Sequence, residues 1–469
     1  MDRKSALILL LCVFLCAATS VSKETTDLSS LEPFNKADRV LILAPHPDDE
    51  VIGCAGVIQE AVIAGAQVRV VYLTNGEHNE FAFIVYEKRI PLRQGEFIHM
   101  GQVRRSESIK SMKLLGVNED KLTFLGYPDF GTFSIFSQYW QTDKPYKTIL
   151  TRISSVPYKE NLSYGKPYVG ESVLGDLKNI LINYKPNRIF VSHPADVNGD
   201  HRSLYLFLQI ALSDLKKELP AAKIYPYLVH CVGWPLPRHY HPELSLQPPQ
   251  KFSSLGWLNL SLSDGQLSKK HEAILMHKSQ TRSSAFYLLS FCRRNEIFAD
   301  YPQIQLKSQD LSGGTPLKFS GFSDLYQNII EDDSGAIKDC AKSGGGGVSF
   351  AIADRSLFVR IEKEGGFAKK FAFVLYLFGY NEKKNFFQMP KIRVFAKNKK
   401  IKVFDGRKML APAGVSFERN ANTITLRVPL SVLGDPDFIL ASMKGYGGIL
   451  PVGAIAFRKI VIKQGGGDE

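Results

Sequence analysis

The chain has 469 residues, of which 44% are hydrophobic and 22% charged, with a formal net charge of +13. This composition excludes a wholly disordered chain, and the length exceeds that of one ordinary domain, so we expect two domains. The densest basic run, residues 391–408, alternates lysines with apolar residues, which is typical of a strand with one solvated face. A surface for anionic cell-envelope polymers is the alternative. No nucleic-acid-binding motif is recognisable, so we expect no nucleic-acid partner.

The first residues predict an export signal. A short charged start precedes an apolar run over residues 6–18, and small residues follow. This run is too short for a comfortable membrane span, which favours a signal peptide over residues 1–22. An uncleaved anchor is the alternative. We therefore expect an exported protein, periplasmic, extracellular or associated with the cell envelope, with no integral span after signal removal.

Strands and helices alternate through the next part of the chain. The predicted strands "RVLILAP", "QVRVVYLTN", "KLTFLGYPD" and "NRIFVSHP" are separated by helical patterns, and "YPYLVHCV" adds a fifth strand. Strands joined in this way form right-handed crossovers. The predicted fold class is therefore α/β, with a doubly wound, mostly parallel Rossmann-like sheet over residues 23–310.

Ionisable residues stand at the end of the first strand, in "VLILAPHPDDEVIGCAGVIQ" (residues 40–59). Ligand sites of open parallel sheets lie beyond the carboxyl ends of the strands. Proline and acids are ordinary in the first turn of a helix, but they do not explain His46 at the junction. An imidazole and a carboxylate three residues apart around a tight turn suit a zinc ion, so His46 and Asp49 are candidate ligands, and Asp48 is free to act as a base.

A second motif, "VSHPADVNGDHRSLY" (residues 191–205), follows another predicted strand and should emerge on the same edge of the sheet. It supplies His201 as a third ligand, with His193, Asp196 and Asp200 nearby. Three protein ligands and an open position are what a catalytic zinc requires.

These motifs carry a family resemblance over roughly residues 39–280. "PHPDDE" and "NGDH", with "VRRSES", "LLG" and "LGYPDFG" between them and "KKHEAILMHKSQ" after them, resemble the PIG-L/LmbE family of zinc-dependent N-acetylglucosaminyl deacetylases. The resemblance implies that His46, Asp49 and His201 bind zinc, and that Asp48 takes a proton from the water that attacks the amide carbonyl. Iron or cobalt could occupy the same ligands.

One position departs from the family pattern. The second motif commonly reads His-Pro-Asp-His, whereas Asn198 takes the place of its first histidine here. An asparagine amide can donate a hydrogen bond to an oxyanion but cannot carry a proton to the leaving amine. His193 and His277 are the candidate acids, each with an equally tenable structural role, and Asp48 could itself return the proton.

Two further residues are candidates for binding substrate. The family context places Arg104 on the substrate side, although a structural pair with Glu107 is favoured by their spacing. Asp129 could line the pocket or only shape its turn. The aromatic stretch over residues 130–170 is either a lid or ordinary loop packing.

The last part of the chain predicts a second domain over residues 311–469. Glycine-rich segments separate strand-like stretches at the spacing of an antiparallel β-sandwich. "NTITLRVPLSVLGDP" and "AIAFRKIVIK" loosely resemble the carbohydrate-binding family 9 or DOMON type of sandwich. The resemblance implies a module that tethers the chain to a polymeric glycan, with a scaffold role as the alternative.

Together these patterns predict an exported zinc amidase that removes the acetyl group from an N-acetylglucosamine-type sugar in a glycolipid, glycoconjugate or polysaccharide. Two alternatives stay open. One is a catalytically impaired carbohydrate-binding protein that lost its chemistry with Asn198, and the other is a zinc amidase with a different acyl or amine substrate.

Overall fold

The computed structural model describes residues 28–78, 85–86, 93–141, 143–309, 317–322, 346–363, 365–368, 370–398, 400–411, 414–447 and 450–463. The predicted signal peptide, residues 1–22, lies outside the described residues. None of the described helices is both long and apolar enough to cross a membrane.

The first half of the chain contains two sheets and the helices that cover them. Its strands are β1 (Ser29–Ser30), β2 (Arg39–Ala44), β3 (Gln67–Thr74), β4 (Leu122–Tyr127), β5 (Arg188–Ser192), β6 (Lys223–Tyr227), β7 (Leu258–Ser261) and β8 (Asn295–Phe298). The α-helices of the described residues are α1 (Asp49–Ile63), α2 (Gln94–Leu114), α3 (Thr132–Gln138), α4 (Gly170–Tyr184), α5 (Gly199–Asp214), α6 (Asp264–Leu275) and α7 (Lys278–Leu288).

Five parallel strands form the main sheet, in the order β4-β3-β2-β5-β6. The chain builds β3 and β4 on one side of β2 and then returns to add β5 on the other side, so the direction of winding reverses between β2 and β5. This reversal is the topological switch point at which doubly wound folds bind ligands. The predicted α/β fold class is confirmed.

Successive apolar side chains of the strands point to opposite faces of this sheet, so both faces are covered. Val40 and Ile42 join a core with α1, α2 and α6, whereas Leu41 and Leu43 join a core with α3, α4 and α5. A sheet buried on both faces requires near-continuous apolar strands, and "VLILA" has that composition. A smaller sheet of β1, β7 and β8 lies beside it.

The second half of the chain is almost entirely strand. Its strands are β9 (Ile304–Gln309), β10 (Ser320–Phe322), β11 (Gly346–Ala353), β12 (Ser356–Lys363), β13 (Phe371–Tyr380), β14 (Lys391–Lys397), β15 (Lys400–Asp405), β16 (Lys408–Leu410), β17 (Ser416–Arg419), β18 (Thr423–Pro429), β19 (Phe438–Gly447), β20 (Leu450–Ala454) and β21 (Arg458–Lys463).

These strands form one curled, mostly antiparallel sheet around a single apolar core, as a sandwich does. The two halves are continuous through β9, because residues 304–307 pair in parallel with β21 and residues 308–309 pair in parallel with β11. The second sheet therefore begins at β9, before the predicted boundary between residues 310 and 311.

Aromatic side chains join the two sheets. The ring of Phe136 in α3 lies 5.2 Å from that of Phe378 and 5.8 Å from that of Phe386. The hydroxyl of Tyr380 donates to Asp214 Oδ1 at 3.0 Å. The C-terminal sheet thus packs directly on α3, which follows β4, and on α5, which follows β5 at the switch point.

Candidate metal centre

The carboxyl ends of β2 and β5 bring two histidines and an aspartate together at the switch point. His46 Nδ1 and His201 Nε2 each lie 3.1 Å from Asp49 Oδ2 and 3.3 Å from each other. All three residues are buried. His46 follows β2, Asp49 begins α1 and His201 lies in the first turn of α5, so the motif at each strand end contributes to one cluster.

Carboxylates contact the outer nitrogen of each imidazole. His46 Nε2 lies 3.1 Å from Asp129 Oδ1 and 3.4 Å from Asp200 Oδ2, and His201 Nδ1 lies 3.1 Å from Asp196 Oδ2. An acid on the outer nitrogen holds the N–H there and leaves the inner nitrogen a lone pair, which is how metal-binding histidines are usually oriented. His46, Asp49 and His201 can therefore hold one divalent ion.

The electrostatics of the cluster favour positive charge. Burial opposes protonation of His46, but Asp129, Asp200 and Asp49 together outweigh it and raise the pKa of that imidazole well above its usual value. Burial likewise opposes protonation of His201, while Asp196 and Asp49 raise its pKa to about 9. A site that draws protons onto two imidazoles beside several carboxylates suits a cation in the same place, and imidazole with carboxylate is a donor set for zinc or iron.

Asp48 is held in a strained conformation beside the cluster. Its φ of 126° is uncommon for a residue with a side chain. Arg104 Nη2 donates to the carbonyl of Pro47 at 2.7 Å and lies 3.2 Å from Asp48 Oδ1, while Nη1 donates to the carbonyl of Gly76 at 2.8 Å. The amide of Asp48 donates to Glu50 Oε2 at 2.9 Å. Burial raises the pKa of Asp48 to about 7 against the charge of Arg104.

Arg104 is placed differently from the substrate-side role implied by the family context. It is buried, and its guanidinium contacts two loops at the strand ends together with Asp48, so it positions the candidate base. Gly76 permits this contact, because a Cβ there would lie 2.2 Å from Arg104 Nη1. Glu107 accepts instead from the amide and hydroxyl of Ser279, at 2.8 and 2.6 Å, and so anchors the start of α7.

Asp129 and Asn198 also have structural partners. Asp129 was a candidate for substrate binding, and the structure places it against His46 Nε2. Asn198 is the N-cap of α5, and its Oδ1 accepts from the amide of Asp200 at 2.8 Å. Asparagine is favoured at this position because its side chain satisfies an amide at the helix start. Only the Nδ2 group of Asn198 is left to face a substrate.

The two histidines predicted as candidate acids lie outside the cluster. His193 is fully buried, stacks on Trp257 at 5.8 Å and accepts from the amide of Ala195 at its Nδ1, and burial lowers its pKa to about 3. His277 precedes α7, with Nε2 3.7 Å from Glu50 Oε1, and burial also lowers its pKa to about 3. Burial thus favours the neutral form of both imidazoles, and the role of His193 and His277 as acids stays a prediction.

Sequence reasoning missed His230. Its ring centroid lies 4.7 Å from that of His201, and its amide donates to Asp196 Oδ2 at 2.8 Å. The signal was present, because His230 follows β6 and the carboxyl ends of parallel strands share one edge. Asp196 therefore joins the ends of β5 and β6 as well as orienting His201.

The aromatic stretch over residues 130–170 divides into two groups. Trp140, Tyr158 and Tyr168 are buried in the core, which is the ordinary packing role. Phe130, whose amide donates to Asp200 at 2.5 Å, is 61% exposed, and Tyr139 and Tyr146 are partly exposed.

Residues 41–212 match the family model described as PIG-L: GlcNAc-PI de-N-acetylase. These residues form a PIG-L domain. The match includes both strand-end motifs of the metal centre, while the C-terminal sheet lies beyond the PIG-L domain.

Three similar proteins illustrate the comparison. A glucosamine-6-phosphate deaminase-like protein of Bacteroides thetaiotaomicron is 26% identical over 270 residues, which is 54% of this chain and 37% of the relative. The 1D-myo-inositol 2-acetamido-2-deoxy-alpha-D-glucopyranoside deacetylase of Corynebacterium glutamicum is 35% identical over 79 residues, which is 17% of this chain and 26% of the relative. This chain thus spans less than two thirds of either relative. The N,N'-diacetylchitobiose deacetylase of Pyrococcus horikoshii is 22% identical, with a TM-score of 0.33 over 60% of this chain and 80% of that chain.

Proposed function

We propose that this chain hydrolyses the N-acetyl group of an N-acetylglucosamine-type sugar and releases acetate and a free amine. The observation that carries the proposal is the convergence of His46, Asp49 and His201 on one point with Asp48 held beside them. The PIG-L domain supports the proposal, because the description of that family names a de-N-acetylase. The relative from Corynebacterium glutamicum is likewise named as a deacetylase of an acetamido sugar.

The donor set fits a divalent metal ion, zinc or iron, held by His46, Asp49 and His201. When bound, such an ion would polarise the amide carbonyl and lower the pKa of water, and three protein ligands leave room for both. Asp129 and Asp196 keep the two imidazoles in the tautomer that the ion requires.

Asp48 is the residue that moves the proton. Its carboxylate accepts a proton from water as the water oxygen bonds to the carbonyl carbon. As the carbon–nitrogen bond then breaks, the same proton passes to the departing nitrogen, which leaves as an amine, and acetate remains. Arg104 and Glu50 fix Asp48 from two sides, so little orientational freedom is lost during the reaction.

Asn198 stabilises the reaction without carrying a proton. Its Oδ1 is bound to the helix start, so Nδ2 is the donor available to the oxyanion that develops on the carbonyl. We assign both proton transfers to Asp48, because burial lowers the pKa of His193 and His277 to about 3 and that of His230 to about 4.

We infer a glycolipid, glycoconjugate or polysaccharide substrate outside the cytoplasm. The support is the predicted export signal, together with a second, sheet-rich domain that loosely resembles carbohydrate-binding sandwiches.

The test is acetate release from a panel of N-acetylated sugars by the metal-loaded protein and its Asp48→Asn variant. We expect release by the parent protein and a fall of at least about 1,000-fold in the variant, with metal stoichiometry unchanged. Asp120→Asn is the matched control: it makes the same change at an exposed aspartate that pairs with Lys121, and it should behave as the parent protein.

Other outcomes point to the alternatives. Stoichiometric metal with no turnover of any N-acyl sugar would support a carbohydrate-binding protein that has lost its chemistry. Turnover confined to amides that are not sugars would overturn the sugar assignment and retain the metal-dependent amidase.

A further inference from the structure

The helix α3 connects the metal centre with the C-terminal sheet. At its start, Asp200 accepts from the amides of Phe130 and Thr132, at 2.5 and 3.0 Å, and Asp200 also contacts His46. At its end, the backbone of Gln138 lies against Gly406, where a Cβ would be 3.5 Å from the Gln138 carbonyl oxygen. Seven helical residues span about 10 Å, so the turn that joins β15 and β16 lies close to the metal centre.

A continuous series of side chains follows the same path at the surface. The Tyr146 ring packs over Gly131, beside the exposed Phe130, since a Cβ at Gly131 would lie 2.7 Å from Tyr146 Cε1. The Tyr146 and Tyr139 rings are 5.4 Å apart, and the guanidinium of Arg407 lies 5.0 Å from the centroid of Tyr139. We name Phe130, Tyr146, Tyr139 and Arg407 the aromatic strip.

Tyr146, Tyr139 and Arg407 contact one another in that order without being buried, and Phe130 directly precedes Gly131, over which Tyr146 packs. Tyr139 and Tyr146 are partly exposed and Arg407 is exposed, in contrast to the aromatic residues of the same loop that fill the core. The Asp200 charge also reaches this strip, because burial and then Asp200 raise the pKa of Tyr146. The strip therefore offers a surface that leads from the metal centre onto the second domain.

Positive charge predominates beside the strip. Arg393 is partly exposed, and its Nη2 donates to the carbonyl of Gly406 at 2.7 Å. Lys144 and Lys147 flank Tyr146 in the chain and are exposed. Of the nearby acids, Asp143 is exposed, and Asp405 accepts from the Lys391 amide at 2.7 Å. Glu171 is also exposed and follows Gly170, whose amide donates to the Tyr139 carbonyl at 2.7 Å.

We propose that the aromatic strip binds the sugar residues next to the reacting one, and that the substrate is an oligosaccharide or polysaccharide bearing anionic groups. Rigid, partly exposed rings suit the apolar faces of sugars, and a guanidinium suits a carboxylate or another anionic substituent. The inference rests on the proposed deacetylase function and deepens it. It also gives the C-terminal sheet a part in substrate binding, because Arg407 comes from that sheet.

The experiment compares kcat/KM for three substrates: N-acetylglucosamine, a neutral pentamer of it, and an acidic oligomer that alternates glucuronate with N-acetylglucosamine. We expect the acidic oligomer to be preferred by the parent protein. In Tyr139→Ala the ratio of kcat/KM between oligomer and monosaccharide falls about tenfold. In Arg407→Ala the ratio between acidic and neutral oligomers falls by a similar factor.

Two variants control for damage to the fold. Tyr139→Phe keeps the ring and should keep the preference for oligomers. Arg355→Ala removes another exposed arginine of the C-terminal domain, one that pairs with Asp435 at 2.9 Å, and should leave both ratios unchanged. If Tyr139→Ala lowered kcat/KM equally for the monosaccharide and the oligomers, or did not lower it at all, the proposal that the strip binds neighbouring sugars would be overturned. A parent preference for the neutral oligomer would overturn its anionic specificity.

Failure of the deacetylase function is separable from failure of the strip. If no sugar releases acetate, calorimetric binding of the acidic oligomer to the parent protein and to Tyr139→Ala decides the matter. Tighter binding of the oligomer by the parent protein than by Tyr139→Ala would support the strip as a sugar-binding surface. Equal binding by the two proteins, or no binding, would overturn that proposal.

Discussion

The metal centre and the contact between the two sheets both bury charged side chains, but they stabilise them with different partners. At the metal centre, imidazoles face carboxylates on both ring nitrogens. At the domain contact, the buried Lys391 Nζ donates to the carbonyls of Phe386 and Met389 at 2.6 Å each and lies 4.6 Å from the Trp140 ring. Neutral acceptors hold one buried amine whose pKa burial lowers to about 7, whereas a cluster of acids and imidazoles can take up an ion and release it.

The largest effect that this comparison predicts comes from Asp49→Asn. The change keeps the size of the side chain but removes the carboxylate charge that both imidazoles share. We expect metal content near zero and a loss of acetate release of at least about 1,000-fold. Metal analysis of the purified variant beside an activity assay checks this. Full metal occupancy in the variant would mean that the ion is held elsewhere.

Arg104→Lys should have the next largest effect. A lysine ammonium cannot bridge the carbonyls of Pro47 and Gly76 and also reach Asp48 as a guanidinium does. We expect kcat to fall about 100-fold with metal retained, since Asp48 would lose its fixed position. Arg105→Lys is the matched control, because Arg105 pairs with Glu119 at the surface. A raised KM with unchanged kcat would instead return Arg104 to substrate binding.

Asp129→Asn should weaken metal binding more modestly. The outer nitrogen of His46 keeps Asp200 at 3.4 Å, so orientation of the imidazole is only partly lost. We expect metal affinity to fall about tenfold, at the lower end of effects for residues that orient ligands. Competition with a chelator measures this affinity. Unchanged affinity, combined with a higher KM for the sugar, would support the substrate role that the sequence allowed.

Lys391→Met tests the other side of the comparison. Burial lowers the pKa of Lys391 to about 7 from the ordinary value of 10.5, which the unfolded chain keeps. Between these values the unfolded state binds more protons, so the lysine makes the protein more stable as the pH rises, by at most about 1.4 kcal/mol per pH unit.

Thermal melting of the parent protein and of Lys391→Met at pH 7 and pH 9 measures this contribution. The melting temperature of the parent protein should gain on that of the variant between the two values of pH. Parallel changes in both proteins would show that the carbonyls and rings around Lys391 keep it charged throughout.

Much of the fold was predictable because it depends on patterns that recur locally. The α/β class followed from buried strands alternating with helices, and the C-terminal strands from their period and turn residues. The continuity of the second sheet was not predictable. It depends on β9, which pairs with β21 and with β11, and these two strands are far apart in the chain.

The sequence by itself determined which strand ends carry the chemistry, since His46, Asp48, Asp49 and His201 stand where parallel strands end. The tertiary structure decided what the neighbouring residues do. Arg104 contacts the carbonyls of two loops, Asn198 caps α5, and His193 stacks on an aromatic ring away from the cluster. The physical reason is that a strand end fixes the position of a backbone, whereas the direction and partners of a side chain depend on loops that approach from elsewhere in the chain.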